Sequence, residues 1–168
     1  MQLYLMRHGA AVDIGQKGVT RDADRMLSAE GIEKTRAVAE GLNAVLDAPL
    51  ARVIASPLIR AKQTAEIAAK ISAPDASVET ADVLRAGAHA ADAVAWLSGQ
   101  PAVPTMLVGH MPDLSALASL LVSGTDRAGF QFRKSAILCL QFDGKAAAGK
   151  GEVVWFLQPG MLRRLGRA

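Results

Sequence analysis

The chain has 168 residues, 51% apolar but only 4% aromatic, and its 19 Lys and Arg are nearly balanced by 16 Asp and Glu for a formal charge of +3. That length suits one domain spanning residues 1–168, and the Ala-rich, aromatic-poor composition favours helices packed closely on a sheet over an aromatic-rich β-sandwich. The small charge, with no basic stripe interleaved with aromatics, argues against a nucleic-acid partner, and one cysteine, Cys139 in an apolar run, excludes an intrachain disulfide framework and reads as a buried thiol.

The first apolar run, Leu3-Tyr4-Leu5-Met6, reads as a strand ending in Arg7-His8-Gly9. Its start almost at Met1 leaves no room for a leader peptide, so the expectation is a cytoplasmic protein. Asp13 to Arg25 is polar, with no clear period, and is predicted as a loop beside the chain's reactive end. Ser28 is a good N-cap for a helix carrying Ile32, Thr35, Val38, Ala39, Leu42, Val45 and Leu46 on one face and ending before Pro49. Arg52 to Ala55 is a short β-branched strand, and Ser56-Pro57 predicts a capped helix from about Pro57 to Ile71.

Val78 to Thr80 is a weak strand, and Ala90 to Leu97 a short helix closed by Gly99. Pro104 to Gly109 is a further strand, and His110-Met111-Pro112 turns it into a helix running to Val122. The apolar stretch Leu114 to Val122 is broken by Ser115 and Ser119 and is too short to cross a bilayer, so no membrane partner is expected. Ser135 to Phe142 and Glu152 to Leu157 are alternating runs joined by a Gly- and Lys-rich loop, a terminal hairpin at one side of the sheet. Arg163, Arg164 and Arg167 read as a solvated terminus. The repeated strand–helix alternation predicts an α/β fold: one three-layer domain, a mostly parallel central sheet flanked by helices, and a C-terminal antiparallel hairpin.

Three of these strands deliver polar groups just past their carboxyl ends: Arg7 and His8, then Ser56 and Arg60, then His110. In a parallel sheet those ends share one edge, where open α/β folds bind ligands. Two arginines and two histidines describe a site for a dianion, because guanidinium groups match phosphate oxygens bidentately and helix starts add free N–H groups. Zinc is the competing reading of two histidines, but Arg7 would repel a dication and no Cys or close-set Asp/Glu completes a ligand set, so no metal or other cofactor is expected. His8, between Arg7 and the permissive Gly9, is the better nucleophile: neighbouring cations favour its neutral ring, and a backbone carbonyl can fix the tautomer. His110, Arg7 and Arg60 are candidates to stabilise a transferring phosphoryl group, with Gly9 and Ser56 completing the substrate-binding set.

Leu5-Met6-Arg7-His8-Gly9, Ser56-Pro57-Leu58-Ile59-Arg60-Ala61-Lys62-Gln63-Thr64-Ala65 and Val108-Gly109-His110 resemble, in order and position, the three signature segments of the histidine phosphatase superfamily. Leu27-Ser28-Ala29-Glu30-Gly31 and Lys134-Ser135-Ala136 extend the similarity over nearly the whole chain. The resemblance implies a phosphoglycerate mutase-like fold, His8 as the phosphorylated nucleophile, and Arg7, Arg60 and His110 as the phosphate pocket. The short, compact spacing is similar to the SixA-type phosphohistidine phosphatases. Mutases and sugar phosphatases of the superfamily carry an acidic general acid between the second and third signatures, where this chain has Val83-Leu84-Arg85-Ala86-Gly87-Ala88-His89, and Ile14 replaces the Asn that mutase-type members often have.

That missing acid bears on the substrate. An alkyl phosphate needs its alkoxide protonated as it leaves, whereas a phosphohistidine already protonated on its other nitrogen releases neutral imidazole. The expected substrate is therefore a phosphohistidine-bearing protein, such as a phosphotransfer domain. A small phosphorylated molecule is the alternative, and a phospholigand-binding module with little turnover is another. Asp82, Asp92, Asp113 and His89 are the candidates for a substitute proton donor; the three aspartates also read as helix-start or surface charges.

Overall fold

Strand β1 (Gln2–Arg7) sets the layering by alternation: Tyr4 and Met6 enter one apolar cluster, Leu3 and Leu5 a second on the opposite face of the sheet. The structure, a computed structural model, describes residues 1–127 and 129–167. After β1 the chain forms α1 (Ala29–Asn43), β2 (Arg52–Ala55), α2 (Ile59–Ser72), β3 (Val78–Thr80), α3 (Ala90–Ser98), β4 (Thr105–Gly109) and α4 (Asp113–Ser123). It ends with β5 (Ile137–Gln141), β6 (Glu152–Leu157) and α5 (Pro159–Leu165).

The six strands run in the order β3-β2-β4-β1-β5-β6. The β3–β2, β2–β4 and β4–β1 pairs are parallel; β5 is antiparallel to β1, and β6 to β5. This is the expected three-layer α/β domain with its terminal hairpin. Val38, Ala39 and Leu42 of α1, Ala61, Ala65 and Ala68 of α2 and Leu162 of α5 cover one face; Ala93 and Leu97 of α3 and Leu114, Leu117 and Leu121 of α4 cover the other. Ala supplies most of the α2 face, which is how a chain poor in aromatics brings helices close to the sheet. Cys139 is buried, and burial pushes its thiol up to about 11.

The order places β2, β4 and β1 side by side, so the three strands that end in polar signatures are adjacent. The chain leaves β1 for β2, moves outward to β3 and returns to fill β4 between them, which opens the crevice at their carboxyl ends.

Three local expectations are corrected. Helix α2 starts at Ile59, not Pro57, and its N-cap is Leu58 with no side-chain cap. The Ser56 hydroxyl is instead committed to its neighbourhood in the crevice, as described below. Helix α1 ends at Asn43, and Val45 and Leu46 pack onto the core beyond its last turn. The arginine-rich tail is not simply a solvated terminus: it includes α5, seated on α1 where a Cβ on Gly41 would come within 1.8 Å of the Leu162 carbonyl oxygen. Only Leu162 of α5 is buried, too little apolar periodicity to reveal the helix in sequence.

Candidate active site

The β1 ladder continues one residue past the strand, because His8 N–H donates to Gly109 O at 3.1 Å. The next amide, Gly9 N–H, donates to Thr64 Oγ1 at 2.9 Å, and that hydroxyl donates to Arg60 O at 2.7 Å, tying the end of β1 to the first turns of α2. A Cβ on Gly9 would lie 2.4 Å from Thr35 Oγ1, so this backbone approach requires glycine. Beside it, Ser135 at φ 65° donates its N–H to the carbonyls of Arg7 and His8 at 3.0 and 3.3 Å, and its hydroxyl is 3.1 Å from Thr35 Oγ1.

The imidazoles of His8 and His110 lie with centroids 5.1 Å apart and an interplanar angle of 50°. His8 is 8% exposed, His110 3% and Arg60 5%. His8 Nδ1 is 2.7 Å from Gly9 O. A carbonyl only accepts, so Nδ1 carries the proton and Nε2 of the neutral ring keeps its lone pair. Burial pushes His8 down from 6.5 to about 3; the Gly9 bond opposes this, while the charges of His110, Arg60 and Arg7 add to it. Desolvation is thus the larger reason for the neutral ring, and the neighbouring cations, expected to govern it, come second. His110 is driven to about 4, first by burial, then by Arg60, with Asp22 opposing and Arg7 adding.

The structure brings Arg7, His8, Arg60 and His110 within one another's fields. Arg7 donates from Nη1 to Phe132 O at 2.8 Å, and burial lowers its guanidinium's affinity for the proton. Among the described residues three buried nitrogens of this group have no partner: Arg7 Nε, Arg60 Nε and His110 Nδ1. Uncommitted buried donors on cationic or ring groups are costly unless a ligand accepts from them. The arrangement therefore suits a tetrahedral oxyanion. Gly9 and Ser56, expected against the substrate, have their polar groups engaged within the site. Gly9 orients His8 through its carbonyl, and Ser56 Oγ accepts from Leu58 N at 3.3 Å and lies 2.8 Å from His110 Nε2.

Sequence reasoning missed Asp22. It lies in the predicted loop, in a short 3₁₀ turn, and accepts from Arg60 Nη2 at 2.9 Å and from Arg25 Nη1 at 3.2 Å. Burial pushes its carboxyl up, but the bonds from the two arginines outweigh that and hold it below the ordinary carboxylate value. The signal available was the run Arg21-Asp22-Ala23-Asp24-Arg25, where opposite charges recur at i,i+3.

The candidate proton donors separate. Asp82 is an exposed partner of Arg85, and Asp92 stands in the first turn of α3. Asp113 accepts from Gly87 N at 2.9 Å, anchoring the loop before α3. Together with His89, Asp113 lines a small cavity that His110 also lines. Among the described residues no group of three or more His, Cys, Asp or Glu is placed to hold a metal ion, and no helix is long and apolar enough to cross a membrane.

Comparison with known proteins gives a consistent picture. The family model for the histidine phosphatase superfamily (branch 1) matches residues 3–86. An uncharacterised protein of Picosynechococcus sp. is 35% identical over 145 residues, which is 84% of this chain and 85% of that protein. The phosphohistidine phosphatase SixA of Escherichia coli K12 is 27% identical over 163 residues, 95% of this chain and 94% of SixA. A solved structure of the protein histidine phosphatase SixA complexed with tungstate superposes with a TM-score of 0.82 at 28% identity, covering 96% of this chain and 99% of that one.

Proposed function

The chain belongs to the histidine phosphatase superfamily, and from that premise we propose that it is a phosphohistidine phosphatase in which His8 receives the phosphoryl group covalently. One observation carries the reading: a neutral His8 with its Nε2 lone pair uncommitted stands beside three buried donors, Arg7 Nε, Arg60 Nε and His110 Nδ1, that have no protein partner among the described residues. The likeness to a SixA complexed with tungstate, itself a tetrahedral oxyanion, agrees with that reading.

In the first step His8 Nε2 attacks phosphorus in line. The Nε2–P bond forms as the P–N bond to the substrate imidazole breaks, and the bonding pair leaves with the substrate nitrogen. If the other nitrogen of that imidazole carries a proton, the leaving group is neutral imidazole. Arg7 and Arg60 offset the charge on the equatorial oxygens. In the tautomer this step uses, Ser56 Oγ accepts from Leu58 N–H and donates to His110 Nε2, so that the ring proton of His110 is on Nδ1, the atom without a protein partner among the described residues, and faces the phosphoryl oxygen as a donor. In the second step water attacks the phosphohistidine, His8 leaves as neutral imidazole, and inorganic phosphate is released. The guanidinium groups supply the positive charge, so chelator should leave the rate unchanged.

The test is trapping. Quenched mixing of the protein with a phosphohistidine peptide should label it with acid-labile phosphate, and His8→Ala should abolish both label and turnover while the variant still binds phosphate. Turnover that survives in His8→Ala would overturn the covalent route.

A further inference from the structure

Four cations line a groove of about 270 Å³ beside the nucleophile: Lys34, Arg133, Lys134 and Arg163, with Ala10 and Ser135 on its floor. The topology puts them on the same edge as His8. Met6 pairs with Ile137 and Ile137 with Leu157, so the segment entering β5 and the segment leaving β6 both meet the carboxyl end of β1. Arg133 and Lys134 precede β5, Arg163 belongs to the helix that follows β6, and Lys34 belongs to the helix that follows β1. Ser135, held at φ 65° with its N–H on the Arg7 and His8 carbonyls, fixes Arg133 and Lys134 next to the site.

Of these cations only Lys34 has a carboxylate partner within ion-pair distance among the described residues, Glu30 one turn earlier, whose carboxyl also feels Arg163. Arg133 and Lys134 are exposed, with no ion pair among the described residues. Across the crevice, on the side of β3 and α4, stand the Asp82–Arg85 ion pair and the carboxylate of Asp113, bonded to Gly87. The rim of the site is therefore uneven in charge, with cations unpaired among the described residues toward β5 and α5 and, toward β3 and α4, an ion pair and the Asp113 carboxylate.

We propose that this cationic groove docks an acidic flank of the phosphohistidine-bearing protein, fixing the direction in which the partner lies across the site. The proposal rests on the phosphohistidine phosphatase reading for the nature of the substrate. The chemistry favours a protein flank over a second fixed anion. The cations come from three separate elements and stand on long side chains around an open groove, unlike the buried nitrogens that converge near His8. Such rim charges select partners and speed encounter more than they deepen affinity.

The probes are two phosphohistidine peptides with one central sequence, flanked by Asp and Glu in one and by Lys in the other. At low salt the acidic peptide should have a kcat/KM about tenfold higher, and the difference should shrink as salt rises. Arg133→Glu with Lys134→Glu should remove or invert the preference and leave hydrolysis of an aryl phosphate unchanged; Lys134→Glu alone should remove part of it. Equal use of the two peptides by the natural chain, or a preference that survives both charge reversals, overturns the proposal. Binding of the unphosphorylated acidic peptide, read by fluorescence anisotropy, isolates docking from chemistry. If that peptide binds in a way the double variant abolishes, while neither phosphohistidine peptide is hydrolysed, docking stands and the hydrolase reading falls. If it does not bind while both phosphopeptides are hydrolysed, the hydrolase reading stands and docking falls.

Discussion

Asp22 occupies both terminal nitrogens of Arg60: its carbonyl oxygen accepts from Nη1 at 2.7 Å and its carboxylate from Nη2 at 2.9 Å. One residue of a surface loop thus orients the side chain of Arg60, a residue only 5% exposed. The contact carries two opposed effects, since it positions the proposed phosphate clamp and also places a negative charge beside the proposed anion site.

Asp22→Asn separates them. The amide oxygen can still accept from Nη2 and the carbonyl bond to Nη1 is untouched, so the hold on Arg60 persists while the charge goes, together with the bond from Arg25, which would face the amide nitrogen. Because the Asp22 side chain is 54% exposed, the lost repulsion is largely screened, and inorganic phosphate should bind about two- to fivefold more tightly. Asp22→Ala should lose the positioning as well and bind phosphate no better than the natural chain. Competitive inhibition constants for phosphate measure both, and weaker binding in Asp22→Asn would show that positioning by the charge outweighs repulsion.

Thr64→Val tests the link between β1 and α2. It removes the acceptor of Gly9 N–H and the donor to Arg60 O, leaving a buried amide unpaired. The expected loss is about 1–3 kcal/mol of stability, with kcat falling more than KM rises because His8 and Arg60 are both anchored through that hydroxyl. Thermal unfolding and steady-state kinetics decide it. An unchanged kcat would mean the two elements hold their positions without Thr64.

The architecture was legible because its signals are local and repeated: β-branched runs, helix faces rich in Ala and Leu, and polar groups at three strand ends. His8, Arg7, Arg60 and His110 could be nominated from sequence, and the structure brings them into one crevice. What sequence could not supply were contacts made across the chain. Asp22 reaches Arg60 over 38 residues and Thr35 meets Ser135 over 100, distances at which no periodicity carries information. The cause of the neutral His8 was also out of reach, because desolvation depends on how completely the crevice closes.

The histidines predict an acid-sensitive fold. In the folded chain burial pushes His8 to about 3 and His110 to about 4, below the ordinary 6.5 that they regain on unfolding. Between those values the unfolded chain binds more protons than the folded one, so stability is full above pH 6.5 and falls as pH drops below it. The slope is up to about 1.4 kcal/mol per pH unit for each ring. Denaturant melts at a series of pH values measure it, and His110→Gln should make the slope shallower. His8 also keeps its lone pair well below pH 6.5, so an acid limb of kcat/KM centred near that value and assigned to His8 would contradict the burial effect.

The leaving group decides between substrate classes. Of the carboxylates near the crevice, Asp22 is bound by two arginines, Asp82 is paired with Arg85, and Asp113 accepts from Gly87 N–H. Each of the three is thus engaged by a cation or a backbone donor. The rate of phosphoryl transfer to His8 should therefore fall steeply as the leaving group becomes more basic, with phosphohistidine and activated aryl phosphates reacting far faster than phosphoserine or sugar phosphates. Asp113→Asn should loosen the loop before α3 and slow all substrates alike. His89→Ala tests the remaining donor, because His89 shares with His110 and Asp113 a small cavity at the crevice. The measurement is kcat/KM over a leaving-group series at fixed pH for the natural chain and these variants. A flat series, or a collapse confined to alkyl esters in Asp113→Asn or His89→Ala, would identify that residue as a general acid and replace the phosphohistidine reading with a small-molecule phosphatase.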